Sequence, residues 1–551
     1  LSGVNRIEIY RGFSPPHLGS SAIGGAINLV SFAEEDSGRT GPELTMSATA
    51  GSFGTGRYLL SFHSGATRVR FRGHASYMES RGDFSFVDDR STPLNPLDDQ
   101  TTTRLNNDFT LWNILGRVEL DLPAFDGVSL SHDAVLREGG VPGLGSNQSL
   151  VARSERATHI TYLKLDPKPL LDMQFHTGFT AYHSLTADKF NDSDGDITAL
   201  RQETDNRMTV YGANARVGID PPWIPASLEL FFEGRRERFH PVSLLPKPSE
   251  GPDRLRSVRT LSVSSDIQPT GDRFVLTVGG RFEWHENDFY DEPPFPRLPP
   301  TPQGKVEDSE GTPHAGFRYH MLDWLCIKGN WGRYYRLPTF LELFGNLGSV
   351  TGNPDLEPER GTNRDIGIIL KGDRLSFMKH PYLELVYLGN DTENLILFFP
   401  NSQYTSAPVN IGSASIRGLE SSFACSLPRS IHLSGSYTYL DHRDNGPIPY
   451  YNGNRLAAQP VHQALGRIEI VRTRWRIEYE LNYIGANYLD RANMIKVPAR
   501  EIHNLLLEFS LSSRGITLSL EGRNLGNNQI SDVNGFPLPG RSFYSTFSIT
   551  M

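Results

Sequence analysis

The chain has 551 residues, of which 38% are hydrophobic and 21% charged, and its formal net charge is −9. This acidic balance excludes a nucleic-acid partner, because phosphates attract basic surfaces. No stretch approaches the roughly 18 consecutive apolar residues of a membrane helix. The two cysteines, Cys326 and Cys425, exclude a disulfide framework.

Alternation of polar and apolar residues dominates the chain from about Glu43 onward. It is clearest in the segments 431–439, 474–483 and 516–523. Successive side chains of a β-strand point to opposite faces, so each segment predicts a strand with one apolar face and one wet face. Many such segments are longer than the about five or six residues of soluble strands and match the about nine to eleven of tilted membrane strands.

The connections between predicted strands alternate between short and long. Short polar turns are predicted at Asp166–Leu170, Pro269–Asp272, Leu427–Ser430 and Ser512–Gly515. Long segments rich in Gly, Pro, Asn and Asp are predicted near 80–104, 138–154, 187–201, 240–254, 287–305, 336–358, 443–454 and 526–540. A barrel with short turns on one rim and long loops on the other has this rhythm.

We therefore predict an all-β fold, which is a transmembrane antiparallel β-barrel of about 22 strands. Barrels of this size have a lumen wide enough to be filled by a plug. The soluble alternatives are a β-propeller and a tandem of sandwiches. A propeller would show a sequence repeat of about 40–50 residues, and none is found.

Three motifs are spread along the chain. The first is Val4–Gly12, followed by the glycine-containing segment Gly19–Val30. The second is Trp331–Glu359, which contains Arg-Leu-Pro-Thr and Asn-Pro-Asp-Leu-Glu-Pro-Glu. The third is Asn524–Leu525 together with Pro537–Phe543. In order and spacing they resemble the TonB-dependent outer-membrane receptor/transporter family.

The resemblance implies that residues 1–40 are the C-terminal end of a plug domain and residues 41–551 the barrel. Most of the plug, including the segment that contacts TonB, is expected upstream of Leu1. The implied protein lies in the bacterial outer membrane and takes up a scarce bulky nutrient with energy from TonB, ExbB and ExbD. The family usually ends in an aromatic residue, and this chain ends in Met551.

The resemblance also implies a latch between plug and wall, formed by Glu8, Arg11 and the inward-facing Glu420. The alternative is that these are solvated charges. At the loop bases, Tyr334, Tyr335, Tyr450 and Tyr451, with Arg336, are candidate ligand contacts, since flat rings pack against a bulky ligand. Equally, the four tyrosines suit an outer aromatic belt.

Two acidic loop segments are candidate calcium sites, because hard cations take carboxylate oxygens at such spacing. Their residues are Asp88, Asp89, Asp98 and Asp99 in one segment, and Asp192, Asp194 and Asp196 in the other. The alternative is a solvated acidic loop tip. No cofactor is required. Haem is disfavoured, since no histidine occurs between Tyr334 and Lys379.

The ligand is expected to be siderophore-bound iron or cobalamin, and the acidic segments favour cobalamin if they hold calcium. The alternatives are a receptor or scaffold that binds an external protein without transport, and a passive porin, which the plug-like residues 1–40 disfavour. No catalytic motif occurs, such as a Gly-x-Ser-x-Gly elbow, a His-Glu-x-x-His zinc site or a phosphate loop. An enzyme is therefore not expected.

Overall fold

The computed structural model describes the chain except for residues 1–3, 12–14, 16–24, 32–40, 66–67, 91, 93–94, 170–173, 198–200, 246, 292–300, 346–349, 401–405, 513–514, 530 and 534. Within this part of the chain the architecture is almost entirely β. Among the described residues, no helix is long and apolar enough to cross a bilayer.

Twenty-two antiparallel strands form one closed barrel, which confirms the predicted fold class and strand number. In chain order the strands are β1 Glu43–Gly51, β2 Thr55–Gly65, β3 Val69–Ser80, β4 Phe109–Leu120, β5 Phe125–Gly140, β6 Arg153–Pro167, β7 Phe175–Asp192, β8 Gln202–Ile219, β9 Ala226–His240, β10 Arg254–Ile267, β11 Phe274–Asp291, β12 Thr301–Leu322, β13 Leu325–Arg336, β14 Glu359–Lys371, β15 Met378–Glu393, β16 Ser413–Leu427, β17 Ile431–Asp444, β18 His462–Val471, β19 Trp475–Ile484, β20 Arg500–Ser512, β21 Ile516–Arg523 and β22 Ser542–Thr550.

The two faces of the wall follow the alternation in the sequence. On β16, Leu419 and Phe423 are 41% and 48% exposed on the outer face. Glu420 lies between them in sequence, points to the lumen and is partly buried. Between β19 and β20, Trp475 pairs with Phe509 across the outer face. Hydrocarbon-facing and water-facing side chains are therefore separated by strand geometry alone.

The lumen face is lined by charges in compensating pairs. Arg117 Nε lies 2.7 Å from Glu119, and Lys328 Nζ lies 2.5 Å from Glu384. Cys326 is on this face whereas Cys425 is on the outer face, and both thiols are free.

The long and short connections lie on opposite rims, as predicted. The turn at Leu427–Ser430 joins β16 directly to β17. Two outer loops were missed, and each of them contains a short hairpin. One contains Ile396–Pro400 paired with Ser406–Asn410, and the other contains Asn487–Tyr488 paired with Lys496–Val497.

The barrel closes where β1 pairs with β22, from Thr45 opposite Thr550 to Gly51 opposite Tyr544. On the lumen side the Thr49 and Thr546 hydroxyls are 2.9 Å apart. On the outer side Phe547 and Met551 are exposed. The closing strand thus keeps an apolar stripe on its outer face.

Before the barrel, Val4–Arg11 and Gly25–Ser31 form a separate two-stranded antiparallel sheet. Ile7, Ile9 and Ile27 on this hairpin are exposed. Its assignment to the end of a plug, and the boundary at residue 40, stay predictions.

Candidate functional site

The loop between β13 and β14, of which residues 337–345 and 350–358 are described, folds inward against the lumen wall. It begins with the short helix α1, Phe340–Phe344, whose N-cap is Thr339. The Thr339 hydroxyl accepts a hydrogen bond from the Glu342 amide at 3.2 Å, and the Glu342 carboxylate accepts one from the Thr339 amide at 2.7 Å. This reciprocal capping box starts the helix directly after Pro338, where the strand cannot continue.

Aromatic rings attach α1 to the wall. Phe340 and Phe344 both stack on Phe239 of β9, with ring centroids 5.7 and 6.0 Å away. Phe289 of β11 meets Phe344 edge to face at 5.2 Å. Such ring pairs contribute about 0.5–1.5 kcal/mol each beyond their burial. The inward position of α1 is thus fixed by packing as well as by its cap.

Two arginines of β10 complete this aromatic cluster. The Arg254 guanidinium lies 4.0 Å from the centre of the Phe344 ring, and that of Arg256 lies 5.0 Å from the centre of the Phe340 ring. Arg256 also donates to the carbonyl oxygen of Pro338 at 2.9 Å. Both arginines are buried, and a desolvated cation over a ring is worth up to about 2 kcal/mol.

Arg336, at the end of β13, ties the loop to the barrel. Its two terminal nitrogens donate to Glu342 at 2.9 and 3.0 Å, and its Nε donates to Glu359 of β14. Glu359 is almost fully buried and also accepts from the amide of Ile396 at 2.6 Å. One guanidinium therefore connects both ends of the loop, and Glu359 connects it to the next outer loop.

The environment of Glu342 favours its charged form. Burial alone raises the pKa of this carboxyl, but hydrogen bonds from Arg336 and Thr339 outweigh burial, so its pKa lies below its ordinary value. The carboxylate is therefore ionised at neutral pH, and the anchor is intact there.

Between α1 and the wall lies a cavity of about 540 Å³, a size typical of small-molecule sites. Its loop side is apolar, with Leu337, Pro338 and Leu341. Its wall side is polar and contains Thr158, Thr186, Asn206 and the ion pair of Arg156 with Asp188. The cavity therefore suits a ligand that has both apolar and polar faces.

Of the five predicted ligand-contact residues, Arg336 lines this cavity. Tyr334 and Tyr335 are only 4% and 1% exposed, so neither ring presents an open face. The Tyr334 hydroxyl lies 2.7 Å from the Thr392 hydroxyl and donates to Asn390, while the Tyr335 ring stacks on His285 at 6.1 Å. Both are buried because β13 leaves β12 above Gly332, where strict alternation ends. A direct ligand contact from these rings stays a prediction.

Tyr450 and Tyr451 lie in the loop between β17 and β18, and neither lines the cavity under α1. Tyr450 is exposed and packs edge to face with Tyr451 at 5.2 Å. Arg491, paired with Asp444, lies 4.5 Å from the centre of the Tyr451 ring. Tyr450 thus offers an accessible face at the outer rim, and its role as a ligand contact stays a prediction.

The second acidic segment has a structural role in this structure. Asp192 is buried and accepts from the amides of Asp196 and Ile197 at 2.8 and 3.2 Å. Asp196 accepts from the amides of Leu150 and Val151 at 2.6 and 3.0 Å, which joins two outer loops. Asp194 is exposed. Oxygens that already accept these hydrogen bonds are less available to a cation.

The first acidic segment is more open. Asp88 accepts from the amide of Arg90 at 2.9 Å, and Asp98 accepts from the Thr92 hydroxyl at 2.9 Å; Asp89 and Asp99 lie beside them in the same loop. Within the described ranges, no group of three or more acidic, histidine or cysteine side chains is arranged to hold a metal ion. Calcium binding by either segment stays a prediction.

The proposed latch is described only in part. Glu8 is held within its own hairpin, where it accepts from Asn28 at 2.9 Å, from Tyr10 at 3.0 Å and from Arg6 at 2.8 Å. These hydrogen bonds, that from Asn28 first, lower its pKa. The side chain of Arg11 lies outside the described residues. Glu420 faces the lumen as predicted, and its contact with a plug stays a prediction.

The sequence interpretation missed the main partners of α1, which are Phe239, Phe289, Arg254 and Arg256. One signal was present: Thr339 and Glu342 have capping-box spacing directly before an apolar run. This pattern predicts a helix inside the loop, although it does not show which wall strands the helix packs against.

Comparison with known proteins agrees with this architecture. Residues 48–525 match the family model described as "TonB dependent receptor-like, beta-barrel". The chain is 26% identical over 252 residues to the vitamin B12 transporter BtuB of Photobacterium profundum, an alignment that covers 43% of the chain and 38% of that relative. It is 23% identical over 264 residues to an iron-regulated outer membrane virulence protein of Vibrio cholerae, covering 45% of the chain and 36% of that relative.

Among solved structures, the copper transporter OprC superposes with a TM-score of 0.81 at 15% identity, covering all of this chain and 86% of that one. At this identity the superposition shows a shared fold only. The chain spans less than half the length of the two sequence relatives. The family model, by contrast, covers most of the chain, and the closed outer-membrane barrel agrees with it. The chain therefore belongs to the TonB-dependent receptor family.

Proposed function

We propose that this chain is the barrel of a receptor that actively imports a scarce, bulky nutrient across the outer membrane, with energy supplied by TonB, ExbB and ExbD. The observation that carries the proposal is the inward-folded segment 337–345, which borders an amphipathic cavity of about 540 Å³ beneath the outer rim. A cavity with a defined lining gives the barrel a selective ligand site, which active uptake of one nutrient requires.

The ligand classes we propose are cobalamin and siderophore-bound iron. One relative is named as a vitamin B12 transporter, and another as an iron-regulated outer membrane protein. A cavity with apolar residues on the loop and polar residues on the wall suits either class. Calcium-assisted binding of cobalamin at the acidic loops stays part of this proposal.

The loop supplies selectivity in this mechanism. A ligand that enters from outside contacts Leu337 and Leu341 on one side and Thr158 and Asn206 on the other. Because Arg336 joins the loop to β13 and β14, any displacement of α1 on binding is transmitted to the wall. Energy from TonB then acts through the upstream part of the protein to open a path through the lumen.

The test is uptake of radiolabelled cyanocobalamin and of ferric siderophores in cells that lack their own receptors and carry the full-length gene. We expect accumulation of one ligand in cells with TonB and none in cells without it. Met208→Trp, which fills the cavity, should abolish accumulation, whereas the lipid-facing Ile366→Trp should preserve it. Accumulation that is equal with and without TonB would refute active transport, and ligand binding without uptake would favour the scaffold alternative.

A further inference from the structure

A second cavity, of about 430 Å³, lies on the lumen face of the wall near the rim of short turns. The lumen-facing Arg117 and Glu119 line it, together with Asp166 and Pro169 at the turn between β6 and β7. It shares no lining residue with the cavity under α1. Short turns of outer-membrane barrels are periplasmic, so we call this second cavity the exit cavity.

The exit cavity has an excess of positive charge. Its basic lining residues are Arg70, Arg72, Arg117, Lys164 and Arg216. Its acidic lining residues are Glu119, Asp126 and Asp166. This local excess is opposite in sign to the formal net charge of the chain, which is −9. A concave surface of this kind concentrates anions from the surrounding water.

One carboxylate is shared by three of these arginines. Glu119 accepts a hydrogen bond from Arg70 Nε at 2.9 Å and lies 2.7 Å from Arg117 Nε. Arg72, which is only 3% exposed, also acts on this carboxylate electrostatically. A single negative charge cannot balance three guanidinium groups. The remaining positive charge acts strongly on a bound anion, because charges that are partly removed from water are screened less.

Arg216 of β8 is the most available cation of the exit cavity. It is exposed, and no carboxylate among the described residues pairs with it. Lys164, by contrast, lies 2.9 Å from Asp166. Arg216 can therefore donate hydrogen bonds to a ligand without giving up an existing partner.

The wall across the lumen has the reverse charge. In the barrel of 22 strands, β19 lies directly across from β8, and Arg467 and Arg216 are each within four residues of the short-turn end of their strands. The lumen-facing charges of β18–β20 at this height are Glu469, Glu478, Glu480 and Glu508, against Arg467 and Arg476. An anion in the lower lumen is thus repelled by one wall and attracted by the other.

The wall strand β8 connects the two cavities, since Asn206 lines the cavity under α1 and Arg216 lines the exit cavity. Between them Gly212 pairs with Tyr182 of β7, and a β-carbon at Gly212 would collide with the tyrosine ring. The Tyr182 hydroxyl donates to Glu233 at 2.8 Å. The ring therefore lies flat across the glycine and leaves the lumen side of this strip open.

We infer that the exit cavity binds an oxyanionic group of the imported nutrient after the nutrient has left the cavity under α1, an inference that rests on the proposed function. Arg216 and Arg117 donate hydrogen bonds to the oxyanion, while Glu119 holds Arg70 and Arg117 in place. A guanidinium fork matches two oxygens of a phosphate or of a carboxylate. Cobalamin has a phosphate diester and many siderophores have carboxylates, so both proposed ligand classes present this chemistry.

The site is tested by equilibrium dialysis of the full-length protein, purified in detergent, against radiolabelled inorganic phosphate, with citrate as the competitor. We expect one saturable site that citrate displaces and that weakens as salt is added. Arg216→Gln should weaken binding about tenfold, as expected for one lost charge-assisted hydrogen bond. The matched control is Arg467→Gln, which removes a lumen arginine at similar height that is already paired with Glu480, and which should leave the affinity unchanged. No saturable binding, or an equal loss in the two variants, would overturn the site; heat-modifiable mobility on gels shows that each variant has folded.

The role in transport is tested by uptake of radiolabelled cyanocobalamin and of ferric siderophores by cells that carry each variant. Arg216→Gln should lower the maximal rate about tenfold and leave the concentration for half-maximal uptake unchanged, because the nutrient binds first under α1. A lower rate for cyanocobalamin identifies the phosphate as the bound group, and a lower rate for ferric siderophores identifies the carboxylate. An unchanged rate would overturn the role in transport. If the wild-type protein binds phosphate but imports neither nutrient, the proposed function fails and the anion site stands, so the two failures are distinct.

Discussion

Replacing Glu342 with Gln should release the inward loop, because it removes the charge that Arg336 binds without changing the size of the side chain. In the structure, Glu342 accepts two hydrogen bonds from Arg336, at 2.9 and 3.0 Å, and one from the Thr339 amide at 2.7 Å. Charge-assisted hydrogen bonds of buried groups are worth about 1.5–3 kcal/mol. Arg336 is partly exposed and keeps Glu359 as a partner, so we expect a loss of about 2 kcal/mol.

The assay is hydrogen exchange of the amides of Leu343 and Gly345, which donate to the carbonyl oxygens of Thr339 and Leu341. A loss of about 2 kcal/mol corresponds to exchange that is roughly 30-fold faster. Asp355→Asn removes an exposed charge from the same loop and should leave the exchange rates unchanged. Unchanged protection of both amides in Glu342→Gln would show that the aromatic cluster alone holds the loop, contrary to the reasoning above.

Three further outcomes are expected. Because the pKa of Glu342 is lowered in the folded protein, the stability that its carboxylate contributes is present above the ordinary pKa of about 4.5 and is lost as the pH falls through the lower folded value. Distances between spin labels on α1 and β9 should therefore stay constant from neutral pH to about pH 5. They should lengthen only below the ordinary pKa. Phe423→Lys on the lipid face should destabilise the barrel by about 2–4 kcal/mol, measured by urea unfolding from liposomes. Ser422→Lys, one residue away on the lumen face, should leave the stability nearly unchanged. Equal effects of the two substitutions would contradict the assigned faces. Asp192→Asn should speed exchange of the Asp196 and Ile197 amides with and without calcium, because Asp192 accepts hydrogen bonds from both, whereas Asp194→Asn should not change their exchange. If both variants instead lower the affinity for calcium, the result would support the cation site.

The wall could be predicted because its two environments leave a local pattern. The alternation in 474–483 reappears as the pairing of Trp475 with Phe509 on the lipid side, and Leu427–Ser430 is the turn that the sequence indicated. The loop that contains Ile396–Pro400 was missed, because its unbroken run of apolar residues has the composition of a wall strand. They pack against other loop residues and not against lipid.

The candidate site could be predicted only in part. Arg336 and the capping box around Glu342 are local features, whereas Phe239 and Arg254 come from strands about a hundred residues earlier in the chain. Their approach to α1 depends on the register and curvature of the closed wall, which no single segment encodes. Tyr335 shows the same limit: its burial follows from the point at which β13 leaves β12.

The wall is uneven in height around its circumference. The pairing of β7 with β8 runs from Phe175 to Asp192, whereas the closing pair of β1 and β22 covers only Thr45–Gly51. Neighbouring strands are held together by a ladder of backbone hydrogen bonds. The barrel therefore resists lateral separation of its strands least beside the first and last strands, where these ladders are short. A lateral load would therefore separate the strands of the barrel at this low side. The tall side, which carries the lumen cavity, would stay intact.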